Sequence, residues 1–162
     1  MSRRIVAERL TPEAFAPFGD VIRLRAAPDR IINGGLCGRH HDLARLDILE
    51  GRAGISLFDA APRALPYRLD LMERHPLGSQ AFLPMSLTSF LVTVAEDEGG
   101  APGRPRAFLT APGEGVNIGR GVWHGVLTPL EAPGLFAVVD RIGEGANLME
   151  ARIDPAWEIV GG

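Results

Sequence analysis

Glu73, His75 and Gln80 occupy one short block, Glu73-Arg74-His75-Pro76-Leu77-Gly78-Ser79-Gln80, and His124 follows farther along the chain. A carboxylate and two imidazoles are the side chains best suited to exchange protons near neutral pH, and they are also common ligands of divalent metals. On a strand Glu73 and His75 point to one face, and Gln80 enters from the next strand once the Pro76-Leu77-Gly78 turn has reversed the chain. The four converge only if later strands fold back beside the first. His124 beside Trp123 could instead be a satisfied core histidine and His75 a strand end. Two such segments occurring together at matched spacing weigh against both plain readings.

A second group lies nearer the N-terminus, in Ile32-Asn33-Gly34-Gly35-Leu36-Cys37-Gly38-Arg39-His40-His41-Asp42. Its glycines let backbone approach a ligand, or simply make a turn with a polar exit. Arg39 has the planar fork that matches a carboxylate, and His41 beside Asp42 can be held in one tautomer as an acid or base. Cys37 could serve as a nucleophile with His40 or His41, although a lone Cys in a glycine loop is more often inert. Arg141, in Asp140-Arg141-Ile142-Gly143, is either another anion-binding group or half of a surface ion pair.

The elements that must position these residues are mostly strands. Thr11-Pro12-Glu13-Ala14-Phe15 combines a capping Thr, Pro in the first turn and an early acid, which predicts one short helix stopped by Gly19. Beyond it, short apolar runs between Gly and Pro signals predict strands at Val21–Leu24, Ile55–Phe58, Tyr67–Met72, Ala81–Leu83, Ser89–Ala95, Arg106–Thr110, Val116–Ile118, Val122–Leu127 and Leu135–Asp140. Many short strands at this spacing read as a sandwich or barrel. His41 to Leu49 reads equally as strand or helical turn. Glu96 to Pro105 reads as an exposed loop without the apolar surface to order itself. The tail from Gly143 to Gly162 is apolar enough to dock on the barrel or on a second subunit.

Bulk composition narrows the chemistry. A chain of 162 residues fits one domain, residues 1–162. A net charge of -3, with no run of like charges, gives no footprint for nucleic acid or an anionic membrane. No apolar run approaches the roughly 20 residues needed to span a bilayer, and Met1-Ser2-Arg3-Arg4 opens no signal-peptide core. A cytoplasmic protein acting on a small molecule is expected, and the single Cys agrees with a reducing compartment. All 17 basic residues are arginine. Without lysine there is no side-chain Schiff base, which removes pyridoxal phosphate and class I aldolase chemistry, and no phosphate-loop nucleotide site.

The two site segments resemble the paired motifs of cupin barrels. Glu73, His75 and Gln80 fall where that pattern has His, His and Glu, and Gly113, Gly119, Gly121 and His124 follow its second half, with Gly119 in the place of a proline. Glu73, His75 and His124 would suffice for a divalent metal, but the amide of Gln80 brings no negative charge and is expected to weaken the hold.

Most of the chain resembles the ureidoglycolate lyase family. The resemblance is carried by Phe18-Gly19-Asp20-Val21-Ile22, Ile32-Asn33-Gly34-Gly35, the Arg39–Ala44 segment, the block from Glu73 to Met85, Gly115-Val116-Asn117 with Val122-Trp123-His124, and Val139-Asp140-Arg141. Departures are His40, where Tyr would be familiar, and the divergent Glu96–Arg104 loop. The resemblance implies a mainly β fold, a cupin-like double-stranded β-barrel (jelly roll) with a short N-terminal helix, usually as a homodimer. It implies elimination of urea from (S)-ureidoglycolate to give glyoxylate in allantoin and purine catabolism. It also implies no organic cofactor and associates nickel with the site. Within it, Arg39 or Arg141 would bind the substrate carboxylate and His75 or His124 would act as base on the hydroxyl. Glu73 or His41 would protonate or orient the urea, and Gln80, with Asn33, would contact substrate. The rival readings are hydrolysis of the same substrate to ammonia, a cupin isomerase, and a small-molecule sensor.

Overall fold

The computed structural model describes residues 3–162, and its two main sheets face each other across a core of aromatic and branched side chains. One is an eight-stranded sheet. Its order is Arg4–Val6, Met149–Val160, Tyr67–Arg74, Trp123–His124, Phe90–Ala95, Arg106–Leu109 and Glu8–Arg9, with Thr128–Pro129 also paired to Phe90–Ala95. The other has five strands in the order Gly19–Ile22, Gly115–Ile118, Gln80–Pro84, Leu135–Ile142 and Arg52–Asp59. This is the expected cupin-like barrel with one short helix.

The N-terminus does work that its sequence does not advertise. Arg4–Val6 runs parallel to the C-terminal strand at one edge of the larger sheet, and Glu8–Arg9 runs parallel to Arg106–Leu109 at the other. Ala7 joins them and donates its N–H to the Val160 carbonyl at 2.8 Å. A single segment thus pairs part of both edges, which shortens the open hydrogen-bonding rows that invite association. Both strands are too short for a period-two pattern to register.

The helix is Pro12–Phe15, with the Thr11 hydroxyl accepting from the Ala14 N–H at 3.1 Å as its sequence predicts. It ends before Gly19, which instead begins the next strand. A Cβ on Gly19 would lie 1.9 Å from the Asn117 carbonyl oxygen, so the glycine serves close strand approach and not helix termination. Phe15 packs edge-on against Phe108 with ring centroids 5.7 Å apart, which seals one end of the core.

Two other expectations change. Val122–Leu127 is not one strand: Trp123–His124 and Thr128–Pro129 flank a break at Gly125, where a Cβ would meet the Thr93 hydroxyl at 2.1 Å. Glu96–Pro105 is ordered by polar groups and not by burial. Asp97–Glu98 pairs with Ala101–Pro102, and the Asp97 carboxylate accepts from Arg74, Trp123 Nε1 and the Gly100 N–H. The tail docks as Met149–Val160 between the N-terminal strand and Tyr67–Arg74. The undecided His41–Leu49 stretch contains neither helix nor named strand and is pinned by Ile48 bridging Gly78 and by Asp47 and Ser79 exchanging hydrogen bonds.

Candidate active site

Register brings the two motif segments together. His124 is the direct cross-strand partner of Glu73 and also of Val94, and paired residues share a face of a sheet. Val94 belongs to the core between the sheets, so Glu73 and His124 face inward with it. On the opposing sheet Gln80 stands opposite Ile118 and two positions from Phe82, both core residues, so it too is on the inner face. His75 lies just past the end of its strand, where its carbonyl accepts from the Gly121 N–H at 2.9 Å.

Ligand atoms of Glu73, His75 and His124 lie within 4.8 Å of one another. The imidazole centroids are 5.1 Å apart. Each ring is oriented from behind: His75 Nδ1 is 2.8 Å from the Asn147 carbonyl and His124 Nδ1 is 2.9 Å from the Gly125 carbonyl. A carbonyl only accepts, so each Nδ1 carries a proton, and in the neutral ring it is Nε2 that presents the lone pair. Both Nε2 atoms are buried without a partner, as is Gln80 Oε1. Unpaired buried acceptors are costly, and so many at one barrel end mark a place built for something electrophilic. This donor set fits a divalent metal, with two imidazole nitrogens, a carboxylate and backbone carbonyls fixing the imidazole tautomers.

Electrostatics agree with the geometry. His124 is 2% exposed, and burial pushes its pKa down to about 4, the Gly125 carbonyl opposing that shift and the neighbouring His75 adding to it. It is therefore a neutral imidazole at physiological pH. Burial raises the Glu73 carboxyl above the usual range, His75 pulls it back, and Glu150, its cross-strand neighbour, raises it further.

The remaining sequence-derived candidates lie elsewhere or are engaged. Arg141 is buried, but its guanidinium donates to the carbonyls of Leu49, Glu50 and Glu144 and so ties two loops to the barrel. Asn33 and Arg39 belong to a projecting hairpin, Arg30–Ile32 paired with Cys37–Arg39, whose residues are all exposed. Gly34 and Gly35 make its tip at φ +67° and +93°, and a Cβ on either would touch nothing within 4 Å, so they serve the turn. His41 is exposed at the base of this arm, where its backbone N–H and Arg25 hold the Asp29 carboxyl below its ordinary pKa. Asn147 was invisible in the sequence. It holds His75 through its carbonyl and accepts from the Leu77 N–H through its side chain at 2.7 Å. A concavity of about 600 Å³ is lined by Asp20, Arg23, Arg25 and Leu43 and by none of the triad. A space between the sheets lined by Phe82, Phe90, Val92 and Val116 is only about 20 Å³.

A cupin-like barrel with a carboxylate and two oriented imidazoles at one end defines the class: a small-molecule barrel with an acid–base or metal site. The ureidoglycolate lyase family matches residues 2–160. A ureidoglycolate lyase of Rhodobacter capsulatus is 70% identical over 91% of this chain and 92% of its own length. Those of Chelativorans and Mesorhizobium japonicum are 50% and 51% identical, over 97% and 96% of this chain and 96% and 97% of their own lengths. The chain belongs to the ureidoglycolate lyase family.

Proposed function

We propose that this protein, a single cupin-like domain over residues 1–162 whose first two residues lie outside the described structure, cleaves ureidoglycolate to glyoxylate and urea. The observation that carries the reading is the pair of unpartnered imidazole Nε2 atoms beside Glu73, in a chain of this family. The substrate carbon bears a hydroxyl, a carboxylate and a ureido nitrogen. Elimination removes the hydroxyl proton, forms the aldehyde C=O, breaks the C–N bond and delivers a proton to the departing nitrogen. No lysine, nucleophile or organic cofactor takes part.

His124 or His75 takes the hydroxyl proton at Nε2, since in each ring Nδ1 is already committed to a carbonyl. Glu73, whose pKa burial raises, returns a proton to the ureido nitrogen. Gln80 contacts the ureido group. Arg39, or Asn33 with it, holds the carboxylate, with His41 beside them; Arg141 supports the site by fixing the loops around it. A divalent metal on Glu73, His75 and His124, for which the family resemblance points to nickel, would act as a Lewis acid on the substrate hydroxyl.

The protein acts as a homodimer in the cytoplasm. Support for a partner comes from exposed apolar side chains on the arm, where Leu36 is 91% exposed, and on the outer strand, where Ile55 is 78% exposed. No helix among the described residues is long and apolar enough to cross a membrane. The test is product identity: equimolar urea and glyoxylate from one enantiomer of ureidoglycolate is the expected result. Ammonia in place of urea would make the protein a hydrolase, and absence of turnover would leave a binding protein.

A further inference from the structure

Gln80 is 7% exposed and has only half of its amide satisfied. Its Nε2 donates to Asp140 Oδ2 at 3.1 Å, while its Oε1 is buried with no partner. The pairing decides which way the amide faces. Val139 is opposite Ala81, so Asp140 and Gln80 are neighbours across adjacent strands on the inner face. A carboxylate accepts hydrogen bonds and has none to give, so it takes the NH₂ side and turns the oxygen away from itself. Were the amide reversed, two oxygens would oppose each other in a buried place, which costs more than the hydrogen bond gained on the other side.

The oxygen so turned lies at the barrel end that carries the triad. Gln80 opens the strand that leaves the turn after His75, and Ile118 opposite it leads through Gly119–Val122 into Trp123 and His124. We propose that Gln80 offers this oxygen as a fourth lone pair alongside Glu73, His75 and His124, and that Asp140 is the positioning residue that fixes it there. The proposal rests on the metal-site reading of the triad. It also revises the expectation that an amide weakens the site. The cupin pattern of three imidazoles and one glutamate brings one negative charge, and Glu73 with two imidazoles and an amide brings the same one. The charge has moved from position 80 to position 73, and Asp140 supplies a second carboxylate behind the neutral ligand.

Two measurements test this. In metal-free protein the Gln80 side-chain NH₂, identified by its disappearance in Gln80→Glu, should exchange slowly with solvent and become fast in Asp140→Ala. Fast exchange in the wild type would remove the hold of Asp140 on the amide. In a Co(II) titration followed by calorimetry and d–d absorption, Asp140→Ala should bind roughly 10- to 100-fold more weakly, the usual cost of losing a partner behind a ligand. The exchanged pair Gln80→Glu with Asp140→Asn restores a hydrogen bond of reversed polarity and should recover wild-type affinity. Unchanged affinity and spectrum in Asp140→Ala, with cobalt bound by the wild type, would overturn the inference while leaving the triad reading intact. Failure of the wild type to take up cobalt would instead remove the metal reading, and the fourth-ligand role with it.

Discussion

The barrel mouth and the projecting arm carry the same kinds of residue, yet they hold them in opposite ways. At the mouth His75 and His124 each have one nitrogen fixed by a backbone carbonyl and the other buried and unpaired. On the arm Asn33 and Arg39 are exposed, and the hairpin's strands pair only with each other. Polar side chains in the two places therefore differ in chemistry because of burial: desolvation and fixed dipoles make a low-dielectric site where small displacements matter, whereas solvent screens the arm. The mouth is pre-organised before any ligand arrives, whereas the side chains of the arm remain open to solvent.

The contrast can be broken most forcefully at the mouth. His124→Ala and His75→Asn should each lower kcat/KM for ureidoglycolate by about 10²–10⁴-fold, the range for a positioned acid or base. Wild-type turnover in both variants would move the chemistry away from the triad.

Acid stability gives a second, smaller effect at the same place. In the metal-free fold His124 remains neutral down to about pH 4, whereas the unfolded chain takes up this proton below 6.5. Between these values the unfolded state binds more protons, so stability falls as pH drops from 6.5 to about 4, by about 3 kcal/mol. Denaturant melts of wild type and His124→Gln across that window should diverge, with the variant flatter. Parallel curves would mean that His124 is solvated.

The arm should respond less. Arg39→Ala is expected to raise KM about tenfold, roughly 1.4 kcal/mol, with kcat changed little, since it removes binding common to substrate and transition state. A loss confined to kcat would instead place Arg39 in the proton-transfer steps. Leu36→Ser, at an open surface position, should alter protomer stability by less than about 0.5 kcal/mol and should shift the sedimentation profile toward monomer. An unchanged profile would take the arm out of the dimer contact.

Several parts of this arrangement were legible in the residues. Thr11 and Pro12 start a helix because a hydroxyl cap and a proline suit a helix N-terminus in almost any context. The Glu73, His75, Gln80 and His124 spacings anticipated a meeting that the register of His124 on Glu73 provides. Other parts were not. The helix ends ahead of Gly19 because that glycine is needed by a strand crossing, a reason lying in Asn117 and not in neighbouring sequence. Asp97 orders its hairpin through Arg74 and Trp123, groups distant in the chain. Arg141 read equally as an anion-binding group or as half of a surface ion pair, and three loop carbonyls occupy it instead.

The sequence by itself determined the inventory: strands set by period-two patterning, turns set by glycine and proline, an all-arginine basic set, and one carboxylate, one amide and two imidazoles at barrel spacing. These are local or compositional properties that survive any choice of partner. Tertiary structure alone decided which nitrogen of each imidazole is free, which side of the Gln80 amide Asp140 holds, and that the arm is exposed. Those properties depend on carbonyls and carboxylates brought from Asn147, Gly125 and Asp140, and on removal of water from the barrel mouth. Hydrogen-bond direction and desolvation arise only between segments that folding has placed in contact.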